Sequence, residues 1–195
     1  MVVFDHGEVI SRATAALPTM AAMLGVDAAA FAAACSAERT AYDRGWSDLA
    51  YWQAVRARLD RQVDAALAER LTRTDVLAGW TDPGSLRLLE ELHRQGVALA
   101  LRSTAPSAFG RAVEREDWTR LFRHLVFSGD LELAKPGPAV HRALLEVLGA
   151  APGDCLFFDD RPENVDGARR VGLAAELWPG PEAALELLRS RAVLT

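Results

Sequence analysis

Short apolar runs alternate with helical segments along the second half of the chain, and this alternation limits the possible fold more than any other feature of the sequence. From Asp82 onward, hydrophobic spacing and turn residues predict helices at 84–95, 107–114, 138–148, 162–171 and 181–191. Short strands are predicted between them, at 97–101, 124–128, 155–158 and 173–177. Apolar runs this short, each followed by a helix, are typical of a parallel sheet with helices on both faces. The sequence therefore predicts a doubly wound α/β fold.

The first strand is separated from the others by a long helical insertion. Residues 1–4 form an apolar run that ends in Asp5, as a strand buried on both faces does. Ala, Leu and Met then recur at helical spacing in 13–25, 28–43, 48–60 and 63–72. We therefore expect an α/β core made of residues 1–10 and 80–195, and a helical cap domain made of residues 11–79.

Composition and charge exclude several classes of function. The net charge of the 195-residue chain is -5, and its Lys and Arg residues form no basic stripe, so nucleic acid is not an expected partner. The sequence offers neither a signal peptide nor an apolar run of about 20 residues that could cross a membrane, which predicts a cytoplasmic protein. Cys35 and Cys155 lie far apart, without metal-ligand spacing, and we expect both to be buried.

Polar groups follow the predicted strands at the points where ligands bind in open parallel sheets. Asp5 ends the first strand, Ser103-Thr104 follow the second, and Asp159-Asp160 follow the fourth, while the segment after the third strand leads to Lys135. The carboxyl ends of parallel strands meet at one edge of the sheet, so these side chains should converge there.

Carboxylates gathered at one edge repel each other unless a cation is present. Oxygen ligands of this kind suit Mg²⁺, which makes a magnesium site the natural expectation. Ser103 could donate to a substrate oxygen, and Lys135 supplies a fixed positive charge. Together with the metal ion they would bind a phosphoryl group, leaving a carboxylate oxygen free to attack it.

Four segments of the chain resemble, in order and spacing, the four motifs of the haloacid dehalogenase-like (HAD) hydrolases. They are FDHGEVI, LRSTAPS, LAKPGP and FFDDRPENVDGAR, and the helical insertion after the first resembles that family's small cap domain. The resemblance covers nearly the whole chain. The first and last motifs are most similar to the branch that dephosphorylates sugar phosphates and related small metabolites.

The resemblance implies a role for each matching residue. Asp5 would be the nucleophile and a metal ligand, and the Gly7 carbonyl a further ligand. Ser103 and the Thr104 amide would bind the phosphoryl group, and Lys135 would stabilise its charge. The metal site would be completed by Asp159 and Asp160.

The sequence departs from the family's pattern at the first motif. Most HAD phosphatases carry a second Asp two residues after the nucleophile, which protonates the leaving oxygen, and here that position is Gly7. Losing a general acid costs about 10²–10⁴-fold in rate and matters most for poor leaving groups. His6 and Glu8 flank the gap, and each is either a proton relay or simply a loop side chain.

Two further departures lie in the second motif. Arg102 occupies a position that is apolar in similar proteins, at the end of a buried strand, where an unpaired guanidinium is costly. We expect Arg102 to form a structural salt bridge, with the alternative that it reaches the site. Thr104 replaces the usual Asn and keeps only the backbone donor of that residue.

The cap offers candidates for substrate recognition rather than for chemistry. Arg39, Tyr42 and Trp46 lie near the turn between two predicted helices, a turn that could face the sheet edge, and we expect them to contact substrate. Trp52 has the helical spacing of a core residue.

Three functions compete at this point. The leading one is Mg²⁺-dependent hydrolysis of a small phosphorylated metabolite through an aspartyl-phosphate at Asp5. The second is 2-haloacid dehalogenation. The acidic pair Asp159-Asp160 argues against it, because two acids there would repel a carboxylate substrate. The third is a HAD-like binding or regulatory protein that has lost turnover. The sequence leaves the oligomeric state open.

Overall fold

A computed structural model of the protein describes residues 1–12, 16–76 and 79–191, and within these residues the chain forms an α/β sandwich. The strands are β1 (Val2–Phe4), β2 (Ser11–Arg12), β3 (Trp80–Thr81), β4 (Leu99–Ser103), β5 (His124–Phe127), β6 (Leu156–Asp159) and β7 (Ala174–Leu177). The α-helices are α1 (Ala16–Leu24), α2 (Ala28–Tyr42), α3 (Asp48–Leu59), α4 (Ala65–Val76), α5 (Pro83–Arg94), α6 (Ser107–Val113), α7 (Ser128–Leu131), α8 (Pro138–Leu148), α9 (Pro162–Arg169) and α10 (Pro181–Ser190).

The main sheet has five strands in the order β5-β4-β1-β6-β7, and every neighbouring pair is parallel. Strand β1 is central, which places Asp5 between the carboxyl ends of β4 and β6. The strand order reverses beside β1, and ligands bind at such switch points in open α/β sheets. The predicted doubly wound α/β fold is confirmed.

Each face of the sheet packs on its own hydrophobic cluster. On one face, Phe4, Leu101 and Phe158 pack against helices α5 and α10. On the other face, Val3 and Phe157 pack against helices α8 and α9. Successive strand residues thus alternate between the two clusters, which is the period expected of strands covered on both faces.

Strand β4 ends two residues later than the sequence predicted. The ladder with β5 continues through Arg102 opposite Val126 and Ser103 opposite Phe127. The prediction stopped at Leu101 because a charged residue interrupts the apolar run there. Arg102 and Ser103 therefore lie on the rigid strand, and not in the loop that follows it.

The helical insertion builds a core of its own. Its buried residues come from α1, α2, α3 and α4. Trp52 is fully buried, as predicted, and its indole nitrogen donates to Thr72 Oγ1 over 2.8 Å. Residues 13–15 of the first predicted cap helix lie outside the described residues, and the division of the chain into core and cap domains stays a prediction.

A short antiparallel ribbon joins the ends of the insertion to the rest of the chain. Ser11 pairs with Thr81, and Arg12 pairs with the residue before it. Strands of two residues are too short to show an alternating pattern, so the ribbon could not be predicted. It brings the exit from β1 beside the start of α5, where the Asp82 amide donates to the Ile10 carbonyl.

Across the described ranges, no single helix is long and apolar enough to cross a membrane. Helices α1 and α2 satisfy the length and composition test only as a pair, and that pair is bent by 102°. Both cysteines are buried and free, as the sequence predicted.

Candidate active site

Three carboxylates meet at the carboxyl edge of the sheet. Asp5 follows β1, Asp159 ends β6 and Asp160 comes directly after it. Each offers an oxygen, and these oxygens all lie within 4.8 Å of one another. The residues that the sequence placed at separate strand ends are therefore close enough to share one ion.

Lys135 forms ion pairs with two of these carboxylates, Asp5 and Asp159. Its Nζ lies 2.8 Å from Asp5 Oδ1 and 2.5 Å from Asp159 Oδ2, and its side chain is 2% exposed. Buried charges require such partners, because a lone ion in a protein interior loses its hydration without compensation. The lysine is thus fixed between the acids.

Asp159 is held by a second set of donors on its other oxygen. Asn164 Nδ2 donates to Asp159 Oδ1 over 2.8 Å, and the Arg161 amide donates to the same oxygen over 3.0 Å. From the sequence alone, Asn164 in the fourth motif is expected to cap and steady the helix after Asp160. Its buried side chain instead orients a carboxylate of the acidic cluster, a role that its place one turn after the acidic pair could have signalled.

The environment raises the pKa values of two of the acids. Burial raises the pKa of Asp5 to about 6, and Asp159 adds to this rise, whereas the positive charge of Lys135 opposes it. Burial also raises the pKa of Asp160, again with a contribution from the neighbouring Asp159. Burial away from water disfavours the charged form of a carboxylate, and a neighbouring carboxylate adds to that effect.

The loop after β4 is anchored to the end of β5. The Ser128 hydroxyl accepts from the Ala105 amide over 2.8 Å and donates to the Ala105 carbonyl over 3.0 Å. This anchoring holds Ser103, which is 4% exposed, at the edge of the cavity. The Thr104 hydroxyl oxygen is buried and has no hydrogen-bond partner within the described part of the chain.

A cavity of about 510 Å³ opens above these groups. Its lining includes all but one of the residues predicted to do chemistry or hold metal, namely Asp5, Gly7, Ser103, Thr104, Lys135 and Asp160. The exception, Asp159, is fully buried beneath the floor. A second cavity of about 600 Å³, between α3, α4 and α6, is lined by none of the predicted site residues.

His6 lines the cavity but sits in an aromatic pocket. Its ring stacks on Trp118 with centroids 5.9 Å apart and meets Phe109 edge-on at 5.3 Å. Nδ1 lies 3.1 Å from the Ser11 hydroxyl. Burial lowers the pKa of His6 to about 4, so the imidazole is neutral near pH 7 and is not the imidazolium acid that could protonate a leaving group.

Of the three cap residues predicted to contact substrate, only Arg39 lines the cavity. Its Nε lies 2.8 Å from Asp43 Oδ1, and its Nη1 lies 3.6 Å from Asp75 Oδ2. These two acids also line the cavity, although the sequence analysis did not single them out. The cap thus presents one guanidinium flanked by two carboxylates.

The other two cap residues predicted to contact substrate, Tyr42 and Trp46, do not line the cavity. Tyr42 is 1% exposed, stacks on Tyr51 with centroids 4.1 Å apart, and donates its hydroxyl to Asp48 over 2.8 Å. Trp46 is exposed but does not line the cavity. Closeness in sequence to a helix turn misled the prediction, because Tyr42 lies on the face of α2 that packs against α3.

The predicted salt bridge of Arg102 is also contradicted. Within the described ranges no carboxylate oxygen lies within 4.0 Å of its guanidinium. Its nitrogens donate instead to two backbone carbonyls, those of Ser103 and Leu133, the second over 3.2 Å. Arg102 is nevertheless completely buried.

The donor set fits a divalent metal ion. Carboxylate oxygens are the ligands that Mg²⁺ takes in proteins, and here three carboxylates each offer an oxygen within 4.8 Å of the others.

Curated relatives align with roughly half of the chain. Protein CbbY, plasmid, from Cupriavidus necator is 33% identical over 101 residues, which cover 50% of this chain and 40% of that protein. The probable pseudouridine-5'-phosphatase of Drosophila melanogaster is 32% identical over 111 residues, covering 53% of this chain and 48% of that one. The chain thus spans about half the length of the curated relatives it matches.

A solved structure matches over almost the whole chain. The HAD family enzyme BT-2542 from Bacteroides thetaiotaomicron, in complex with magnesium and inorganic phosphate, has a TM-score of 0.71 at 16% identity. The match covers 90% of this chain and 92% of that one. The family model for haloacid dehalogenase-like hydrolases matches residues 4–172. Motif order, fold and family match agree, and the chain belongs to the haloacid dehalogenase-like hydrolases.

Proposed function

We propose that this protein hydrolyses a phosphate monoester of a small metabolite in a Mg²⁺-dependent reaction that proceeds through an aspartyl-phosphate on Asp5. One observation carries the proposal. The Asp5 carboxylate lies at the floor of an open cavity, 2.8 Å from the Lys135 ammonium group, and within sharing distance of two further acids. This geometry suits a nucleophile that attacks an anionic group.

Asp5, Asp160 and the Gly7 carbonyl would hold the metal ion, with Asp159 completing the acidic set. When bound, Mg²⁺ neutralises charge on the phosphoryl oxygens and on the crowded acids. One oxygen of Asp159 accepts a hydrogen bond from Asn164 and the other pairs with Lys135, so the main contribution of Asp159 is to hold Lys135 in place.

The chain's own groups account for binding and attack. The Ser103 hydroxyl and the Thr104 amide donate to phosphoryl oxygens. A carboxylate oxygen of Asp5 forms a bond to phosphorus while the bond to the leaving oxygen breaks. Lys135 stabilises the negative charge on the transferred group. Water then attacks phosphorus, releases phosphate and restores Asp5.

Gly7 determines which leaving groups react well. The family's usual acid is missing, and His6 is neutral near pH 7 because burial lowers its pKa to about 4. An alkoxide leaving group must be protonated as it departs, whereas an aryl, acyl or anomeric phosphate leaves more readily without a proton. We therefore expect a preference for good leaving groups.

The substrate class follows from the size and charge of the cavity. About 510 Å³ is within the range of cavities that bind small molecules. Arg39, Asp43 and Asp75 face it from the cap and would contact the part of the metabolite beyond the phosphate. The names of the curated relatives, which include a phosphatase, support this class of substrate.

The first prediction concerns the nucleophile. Replacing Asp5→Asn should abolish Mg²⁺-dependent release of phosphate from p-nitrophenyl phosphate, because an amide oxygen is a far weaker nucleophile than a carboxylate. The matched control is Asp130→Asn, an exposed acid that also follows a strand but lies outside the cavity, and it should keep full activity.

Phosphate release, chloride release and ion binding together separate the competing functions. Phosphate release that persists in Asp5→Asn would contradict the mechanism. Chloride release from 2-chloropropionate in the presence of a chelator would indicate a dehalogenase. Tight Mg²⁺ and phosphate binding without turnover of any phosphate ester would indicate a binding protein.

The second prediction adds the missing acid. A β-carbon on Gly7 would meet no atom within 4 Å, so Gly7→Asp should fold normally. We expect the rate on an alkyl phosphate such as glycerol phosphate to rise by about tenfold or more, with a smaller gain on p-nitrophenyl phosphate, whose leaving group needs no proton. Gly7→Asn is the matched control of equal size without an acid. Equal gains on both substrates would contradict the proposed defect.

The third prediction removes the buried cation. In chelator, Lys135→Met removes the cation paired with the buried Asp5 and Asp159 and should cost about 3–5 kcal/mol in the free energy of unfolding. Because the folded-state pKa of Asp5 is raised, to about 6, its protonated form is favoured by folding. The contribution of Asp5 to the free energy of unfolding is therefore favourable at low pH and is lost as pH rises through that value. The decrease in the free energy of unfolding caused by Lys135→Met should for this reason be larger at pH 8 than at pH 5.

Urea unfolding monitored by circular dichroism at both pH values measures this effect. Arg94→Met is the control, since Arg94 forms an exposed ion pair with Glu91 and its replacement should leave the stability close to that of the unmodified chain. Added Mg²⁺ should restore part of the loss in Lys135→Met. A loss that is independent of both pH and Mg²⁺ would contradict the paired arrangement.

A further inference from the structure

Arg102 lies in one row with two of the site carboxylates. In the sheet, Phe4 of β1 pairs with Leu101 of β4 and with Phe158 of β6. The next residue along each of these three neighbouring strands is Asp5, Arg102 or Asp159. Neighbouring strands lie about 4.8 Å apart, so a positive residue stands beside two negative ones at the carboxyl edge of the sheet.

The three side chains of the row also share a face. Val3, Ala100 and Phe157 belong to the hydrophobic cluster under helices α8 and α9. Residues two positions further along a strand return to the same face, which places Asp5, Arg102 and Asp159 on that side. Lys135 reaches Asp5 and Asp159 there, so both buried cations serve one acidic row.

The guanidinium of Arg102 donates its hydrogen bonds to backbone carbonyls and not to the site carboxylates. It donates to the carbonyl of Ser103, which is its own neighbour, and to that of Leu133, two residues before Lys135. Its Nε has no partner in the described part of the chain. Arg102 thus ties the strand end that carries Ser103 to the loop that carries Lys135.

Among the residues that the structure describes, none forms a direct ion pair with Arg102. Burial lowers its pKa to about 10, while Asp5 and Asp159 favour the charged form, so the guanidinium remains positive at neutral pH. A fixed charge inside a poorly screened interior acts over several ångströms on any ion that enters the cavity.

We propose that Arg102 is a positioning residue and a second fixed cation behind the phosphoryl site, which strengthens anion binding there and weakens Mg²⁺ binding. This inference rests on the proposed function, because it assumes that anion and metal ion meet at the acidic row. It also gives this chain a means of attracting a phosphate group that does not depend on the metal ion.

The sign of the two effects separates this role from a purely structural one. Removing a positive charge must weaken the binding of an anion and strengthen that of a cation at the same place. Loss of a backbone clamp alone would disorder Ser103 and Lys135 and would weaken the binding of both ions together.

The test compares Arg102→Leu and Arg102→Lys with the unmodified chain. Isothermal titration calorimetry measures Mg²⁺ binding in the absence of anion and orthophosphate binding in the presence of chelator. In Arg102→Leu we expect phosphate affinity to fall about tenfold and Mg²⁺ affinity to rise about tenfold. Arg102→Lys keeps the positive charge, so both affinities should be close to those of the unmodified chain. Arg94→Leu, an exposed and distant change, should alter neither.

Thermal unfolding of each variant monitors folding. Parallel losses of both affinities, or affinities equal to those of the unmodified chain, would overturn the inference, as would an unmodified chain that binds neither ion. Should Arg102→Leu fail to fold, Arg102→Gln supplies the uncharged side chain and the same two titrations decide. If phosphate affinity falls and Mg²⁺ affinity rises in Arg102→Leu, but the unmodified chain turns over no phosphate ester, the inference about Arg102 is supported and the proposed function is refuted.

Discussion

The site depends on one buried ammonium group placed between two buried carboxylates. Lys135 contacts both Asp5 and Asp159, and neither acid could stay ionised at its depth without such a partner. The arrangement leaves a net negative charge, because Asp160 adds a third acid within reach. That residual charge makes the cluster a place for a cation, and the cavity above it makes the same cluster accessible to an anionic substrate.

The fold holds this arrangement through the loops after the strands. Gly167 on α9 lies so close to the Pro136 carbonyl that a β-carbon there would stand 2.4 Å from it. This close approach presses the residue after Lys135 against the helix that follows the acidic pair. Asn164, on the same helix, fixes the orientation of Asp159. Helix α9 therefore sets the relative positions of Lys135 and Asp159.

How much could be predicted from the sequence depends on whether a feature is local. Asp5, Lys135 and the acidic pair could be placed at one edge, because the carboxyl ends of parallel strands must meet there. The end of β4 was misplaced, since Arg102 looked like the end of an apolar run although the parallel ladder continues past it. The burial of Tyr42 was not foreseen, because the packing of α2 on α3 leaves no mark in local spacing.

The central claim is that a carboxylate oxygen of Asp5 attacks phosphorus. One turnover of p-nitrophenyl phosphate by excess enzyme in ¹⁸O-water, followed by mass spectrometry of the peptide that contains Asp5, tests it most directly. If the water that breaks down the aspartyl-phosphate attacks phosphorus, the first turnover places ¹⁸O in the released phosphate and none in Asp5. Phosphate should carry the label, and acid-quenched enzyme should carry a phosphoryl group on that peptide. Labelled phosphate without any phosphorylated Asp5 peptide would mean direct attack by water, and would contradict the account.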